Sequence, residues 1–237
     1  MSSRASTRRK VQVAPRALPT ERPGPEGGVR DATRRQRTAA LATSALRLFL
    51  DRGVETVTID EIASKAGIAK GSFYTYFRDK ADVVDALFAP VAATVREAMT
   101  RCEEALRAAS DADTLTAAYQ TLAVTLGATL WEHQGVALLY LQESRAPAVG
   151  ARRPVALLAK EIRERAVALT LTAQAHGLLH PLDARVTATA VVGAVESLLH
   201  HVLSGGDLGD PAEATRALIA LILHGVAAPT PRRLPAL

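Results

Sequence analysis

Residues 58–80 of the chain read TIDEIASKAGIAKGSFYTYFRDK and concentrate an unusual set of hydrogen-bond donors. Three of only five lysines fall here, Lys65, Lys70 and Lys80, together with Tyr74, Tyr76 and the hydroxyls of Ser72 and Thr75. Ammonium, phenol and hydroxyl groups donate to phosphate oxygens, and Lys70 can also reach acceptor atoms on base edges. Gly71 leaves room for a close backbone approach. An ordinary solvated helix face would favour Glu and Lys. The chemistry available to this set is noncovalent recognition of a nucleic acid.

Recognition requires that these side chains be held on one surface, and the intervening residues supply the scaffold. Thr58 followed by Glu61 is a capping box that starts a helix with Ile62, Ala63 and Ala66 on its inner side. Ala63 is small enough for two helices to cross closely, and Gly67, four residues on, can turn the chain sharply into a second short helix near Ala69–Lys70. Ile62, Ile68 and Phe73 close a small core, with Phe77 on the inward face four residues after Phe73. Lys70, Gly71, Tyr74 and Thr75 are left facing outward. Before this unit, Leu41, Ala45, Leu48 and Phe49 predict a helix over 33–52 that stops at Gly53.

Charge is distributed to match. Residues 1–37 hold ten Lys/Arg against three acids, a surplus of seven, so with a net charge of +5 the remaining 200 residues carry −2. A basic end on a near-neutral body suits local contact with a polyanion. Arg37 is the arginine of this arm expected to reach DNA. Residues 1–30 are too polar and too rich in Pro and Gly to bury a core and are expected to be disordered.

The rest of the chain reads as helix. Only 4% of residues are aromatic, and the apolar mass is Ala, Leu and Val, of which Ala and Leu favour helices. A long helix is predicted from Lys80 through Leu106, bent or loosened at Pro90, then helices near 112–131, 134–144, 154–176, 183–203 and 211–226. Residues 114–131 carry no charge, but their threonines and Gln120 argue for a core helix and against a membrane span. A single cysteine, Cys102, allows no intramolecular disulfide, and a cytoplasmic protein without a membrane partner is expected.

No catalytic residue is assigned. There is no G-x-S-x-G and no phosphate-binding loop, and the His176/His180 pair is interrupted by Gly177 and followed by Pro181, so neither metal nor cofactor is expected.

The spacing of Thr58, Ile62, Ala63, Ala66, Gly67, Gly71, Tyr74, Tyr76, Phe77 and Lys80 resembles that of the TetR family of bacterial transcriptional regulators. The resemblance covers about fifty residues. It implies an all-α protein of about nine helices: an N-terminal three-helix helix-turn-helix DNA-binding domain and a C-terminal helical ligand-binding and dimerisation domain. The expected boundaries are a disordered basic arm at 1–30, the DNA-binding domain at 31–79, the ligand and dimer domain at 80–226, and a loose tail at 227–237. By position, Thr58, Tyr74, Tyr76 and Lys80 would contact phosphates, while Lys70, Gly71, Ser72 and Thr75 would approach bases. Ala69 departs from the family pattern, which often has Ser or Thr there as the cap of the recognition helix.

The same resemblance places a dimer interface on the last two helices, with Val191, Val195, Leu198, Val202, Ala214, Leu218 and Leu221 as its apolar contacts. The expected partners are a palindromic double-stranded DNA operator, a second copy of the chain and a small apolar effector that releases a repressor. Polar residues inside apolar runs are candidates for lining the effector pocket: Tyr119, Gln120, Trp131, His133, Tyr140, Gln142, Glu143 and Gln174. A ligand-independent regulator or activator on the same fold stays open, as does a helical enzyme or carrier with a vestigial DNA-binding module.

Overall fold

The computed structural model describes residues 29–224. The tail expected at 227–237 and all but the last two residues of the arm expected at 1–30 lie outside the described residues. Those last two residues are already helical, because α1 runs Val29–Arg52. Eight more α-helices follow: α2 (Ile59–Lys65), α3 (Lys70–Phe73), α4 (Lys80–Ala108), α5 (Ala112–Glu132), α6 (Gln134–Glu143), α7 (Arg153–Ala175), α8 (Ala184–Leu203) and α9 (Pro211–His224). A 3₁₀ turn, Gly150–Arg152, leads into α7. No strand occurs among the described residues.

The long helix α4 is the spine. Val84, Leu87, Phe88, Val91, Val95, Met99, Cys102 and Leu106 are buried at helical spacing along one side. Its first turns pack on α1, and its length is covered by α5 and α7. One continuous apolar core therefore runs from Leu41, Phe49, Ile62 and Phe73 through α4 to Leu139, Val155 and Leu169. Pro90 is exposed, and α4 is continuous through it. The N–H that proline lacks removes one hydrogen bond without ending the helix.

Three apolar helices are less covered than the rest. The charge-free stretch expected to be a core helix is α5, which buries only Leu115 and Ala118, while Val124 and Trp131 are exposed. It lies on the outside of α4, touching α6 and α9 but open elsewhere. More marked is α8, long and apolar enough by length and composition to cross a membrane, yet buried at only Ala184 and Ala188 within one chain. On α9 only Ile219 is fully buried among the described side chains.

Candidate nucleic-acid interface

The short helices α2 and α3 owe their geometry to local rules. Thr58 caps α2: Glu61 N–H donates to Thr58 Oγ1 at 3.3 Å, and Thr58 N–H donates back to Glu61 Oε2 at 2.8 Å. Arg52, at the end of α1, donates to Glu61 Oε1 at 2.8 Å and joins α1 to α2. That bond, followed by those from Thr58, holds the Glu61 carboxyl down at about 2. Gly67 at φ +72° makes the turn, a left-handed conformation that a side chain disfavours. α3 begins after Ala69, which makes no side-chain cap bond, so the departure from the family pattern is a real loss of a cap. Packing compensates: Phe73 and Phe77 are buried with ring centroids 5.8 Å apart, above Ile62 and Ala63.

With its apolar side fixed, α3 and the turn after it present Lys70, Gly71, Ser72, Tyr74 and Thr75 to solvent. A Cβ built at Gly71 meets nothing within 4 Å, so the backbone there is open to a close approach. The Tyr74 ring stands edge-on to Phe73 at 5.5 Å and remains 45% exposed, which holds the ring while leaving it accessible. Tyr76 is half-buried, and its hydroxyl accepts from Arg37 Nη1 at 3.5 Å, bringing α1 and the recognition unit together.

Two lysines have partners that their spacing did not reveal. Lys70 Nζ lies 2.9 Å from Asp60 Oδ2, and this bond raises the affinity of the ammonium for its proton. Lys80 Nζ donates to the carbonyl oxygens of Glu55 at 2.9 Å and Val57 at 2.8 Å. Lys80 therefore ties the α1–α2 turn to the start of α4, and two of its three N–H groups are engaged within the protein. Asp60 and Arg52 were missed by sequence reasoning. The legible signal for Arg52 was only that it precedes the capping box by a few residues.

The eight residues expected to line an effector pocket are dispersed. Trp131 is 65% exposed at the end of α5, and Gln120 is exposed as well. Tyr119 is largely buried near Cys102, and burial pushes its hydroxyl up. His133 stands at the junction of α5 and α6. Gln174 Nε2 donates to the carbonyls of His180 and Leu182 and so fastens the α7–α8 loop. Tyr140 donates to Glu196 Oε1 on α8 at 2.9 Å. Gln142 Nε2 reaches Leu50 O at 3.5 Å, and Glu143 is buried against the α1–α2 turn. None of the eight lines an apolar groove that the described residues do form. That groove, of about 370 Å³, opens between α4 and α5 and is lined mainly by Ala98, Cys102, Ala105, Ala118, Leu122 and Thr125, with Arg101 at its rim. Tyr140, Gln142, Glu143 and Gln174 tie elements together, while small residues on two helices leave the space.

Among the expected interface residues, Val191, Val195, Leu198, Val202, Ala214 and Leu218 are partly covered within one chain, and Leu221 is 44% exposed. Val186, one turn earlier on α8, is 69% exposed.

Comparison with known proteins fits this geometry. Residues 41–87 match the family described as bacterial regulatory proteins, tetR family. The transposon Tn10 TetC protein of Escherichia coli is 41% identical over 49 residues, covering 21% of this chain and 25% of that protein. The HTH-type transcriptional repressor BepR of Brucella suis biovar 1 is 40% identical over 48 residues, 20% of this chain and 23% of its own. The chain thus spans about a quarter of the length of these curated relatives. The likeness in fold is wider. The fatty acid degradation regulator FadR of Bacillus halodurans superposes with a TM-score of 0.60 at 18% identity over 80% of this chain and 99% of that one. FadR of Bacillus subtilis, solved in complex with stearoyl-CoA, superposes with a TM-score of 0.59, also at 18% identity, over 80% of this chain and 99% of its own.

Proposed function

From the match of residues 41–87 to the bacterial regulatory proteins of the tetR family, we propose that the chain acts as a dimeric transcriptional repressor released from DNA by a small apolar ligand. The observation that carries this reading is the two-sidedness of α3. Phe73 and Phe77 lock one side into the core, while Lys70, Gly71, Ser72, Tyr74 and Thr75 are exposed on the other. A helix so short is stable only through its packing, so its exposed side can be given over to a partner. In a DNA complex, Thr58, Tyr74 and Tyr76 with Arg37 address phosphates, and Lys70, Gly71, Ser72 and Thr75 address bases in the major groove. Lys80 acts from behind, fixing the turn that leads into Thr58.

One recognition unit reads only a half-site, and a two-fold dimer reads a palindrome. The exposed apolar sides of α8 and α9 are the surfaces suited to that pairing, since patches of this kind on a single chain mark a contact with protein or membrane. The α4–α5 groove suits an apolar effector. α4 starts in the DNA-binding unit at Lys80 and lines the groove from Ala98 to Ala108, so a ligand wedged there acts on the helix that carries the reading head. Such a ligand releases DNA only to the extent that it binds one conformation better than the other.

The test is selection of genomic fragments by the full-length protein. The expected result is one enriched inverted repeat with half-sites about one helical turn apart. Failure to enrich any sequence would overturn the reading. Release of the selected DNA is then measured with long-chain acyl-CoAs as first probes, because one protein of this fold holds stearoyl-CoA. DNA binding that ignores every probe would favour a ligand-independent regulator.

A further inference from the structure

We propose that Glu143 is a positioning residue: it fixes the pose of the DNA-binding unit on the C-terminal domain, with Arg152 and Glu55 completing the joint. This inference rests on the reading of the chain as a DNA-binding regulator.

Glu143 is the last residue of α6 and only 3% exposed. Its Oε1 accepts from the backbone N–H of Val54 at 2.8 Å, across from the C-terminal domain to the turn between α1 and α2. Its Oε2 accepts from Arg152 Nε, on the 3₁₀ turn before α7. The backbone N–H of Arg152 in turn donates to Glu55 Oε1 at 3.3 Å. The joint is thus reciprocal: a carboxylate of the C-terminal domain holds backbone of the N-terminal unit, and a carboxylate of the N-terminal unit holds backbone of the C-terminal domain. Lys80 grips the same turn from α4 through the carbonyls of Glu55 and Val57. At the opposite end of α6 from Glu143 the helix lies hard against α1, where a Cβ on Gly135 would stand 3.1 Å from Leu46 Cδ2.

Stability alone does not explain a carboxylate in this place. It sits at the end of a helix whose macrodipole is negative, and burying its charge costs free energy that Arg152 offsets only with good geometry. Directional bonds do, however, define an orientation that an apolar contact leaves loose. The orientation matters because Val54 and Val57 are fully buried in the turn that leads directly to Thr58, the cap of α2. A displacement at Val54 N is therefore carried into α2 and α3. The same helix also reaches α8, through Tyr140 to Glu196 at 2.9 Å, and Arg145 just beyond its end pairs with Glu196 at 3.3 Å. α6 thus fixes the reading head through its last residue and contacts the proposed dimer helix through Tyr140, one turn earlier.

The test compares wild type, Glu143→Gln and Glu143→Ala in the full chain. Spin labels at Thr75→Cys on the recognition unit and Glu164→Cys on α7 report the distance between the two parts, in dimers diluted with unlabelled chain. Cys102 is buried and stays in place, with a sample lacking the two new cysteines as control. The expected result is one narrow distance in wild type, a broadened or displaced distribution in Glu143→Ala, and an intermediate one in Glu143→Gln. The glutamine keeps an acceptor for Val54 N–H but loses the charge that Arg152 faces. Distributions that superimpose in folded samples overturn the proposal. In parallel, binding to the fragment selected by wild type should weaken about tenfold in Glu143→Ala, while binding to a single half-site changes little. Equal weakening of both would assign Glu143 a merely structural role. If wild type selects no DNA, the functional reading falls, and the label distances still decide the joint.

Discussion

Lys70 Nζ and Asp60 Oδ2 stand 2.9 Å apart, so the first residue of the recognition helix is held by an acid in the first turn of the preceding helix. More than half of each side chain is exposed, and the pair is correspondingly weak. Its consequence lies in DNA binding. Asp60 steadies the lysine in the free protein, but it also places a negative charge beside the surface proposed to meet phosphates.

Lys70→Ala is expected to weaken binding to the selected operator by roughly tenfold or more and binding to random DNA much less, as befits a base contact. Asp60→Asn is expected to tighten binding to both DNAs by about threefold, most at low salt, because it removes a repulsion without touching a base. Titrations of both variants on both DNAs at two salt concentrations check this. Equal weakening of both DNAs by Lys70→Ala would make Lys70 a phosphate contact.

Lys80 is spent on two backbone carbonyls, and this changes what its removal should do. Lys80→Ala is expected to cost about 1–2 kcal/mol of stability, because the carbonyls of Glu55 and Val57 lose their donor. The slope of log affinity against log salt should stay at its wild-type value. A slope flattened by about one unit per half-site would show instead that Lys80 neutralises a phosphate.

The Glu61 carboxyl, held down at about 2 from an ordinary 4.5, gives a pH signature. A carboxyl that is more acidic in the folded state adds stability above its ordinary value and loses it as pH falls through the folded one. The stability gap between wild type and Glu61→Gln should therefore be constant from neutral pH down to about 5 and close between about 4.5 and 2. Urea denaturation of both proteins across this range measures it. A gap still open at the acid end would contradict the assignment.

Dimerisation through α8 and α9 predicts that Val195→Glu or Leu218→Glu yields monomers, since either change places an unpaired charge in the interface at a cost of several kcal/mol. Sedimentation at micromolar concentration reads the result. A wild-type monomer at that concentration refutes the interface.

Filling the α4–α5 groove separates effector from operator. Ala105→Trp adds a large side chain on the exposed side of α4, among the groove-lining residues. Operator affinity should persist, while release by an acyl-CoA that acts on wild type should need at least about tenfold more ligand. Unchanged release would place the effector elsewhere.

The helices and the outward side of α3 were legible in the residues because local rules decide them. The Thr58–Glu61 capping box, the φ +72° turn at Gly67, the missing side-chain cap at Ala69 and the inward Phe73–Phe77 pair all depend on neighbours within a few positions. What became of Glu143, Tyr140 and Lys80 depended on partners far along the chain. Glu143 meets Val54 across 89 positions, and Lys80 meets Val57 across 23. A polar residue in an apolar run announces only that it needs a partner when buried. Whether that partner is a ligand or a distant backbone is decided by which helices the core brings together. The α4–α5 groove arose the same way, from alanines that look like ordinary helix filler until two such helices are laid side by side.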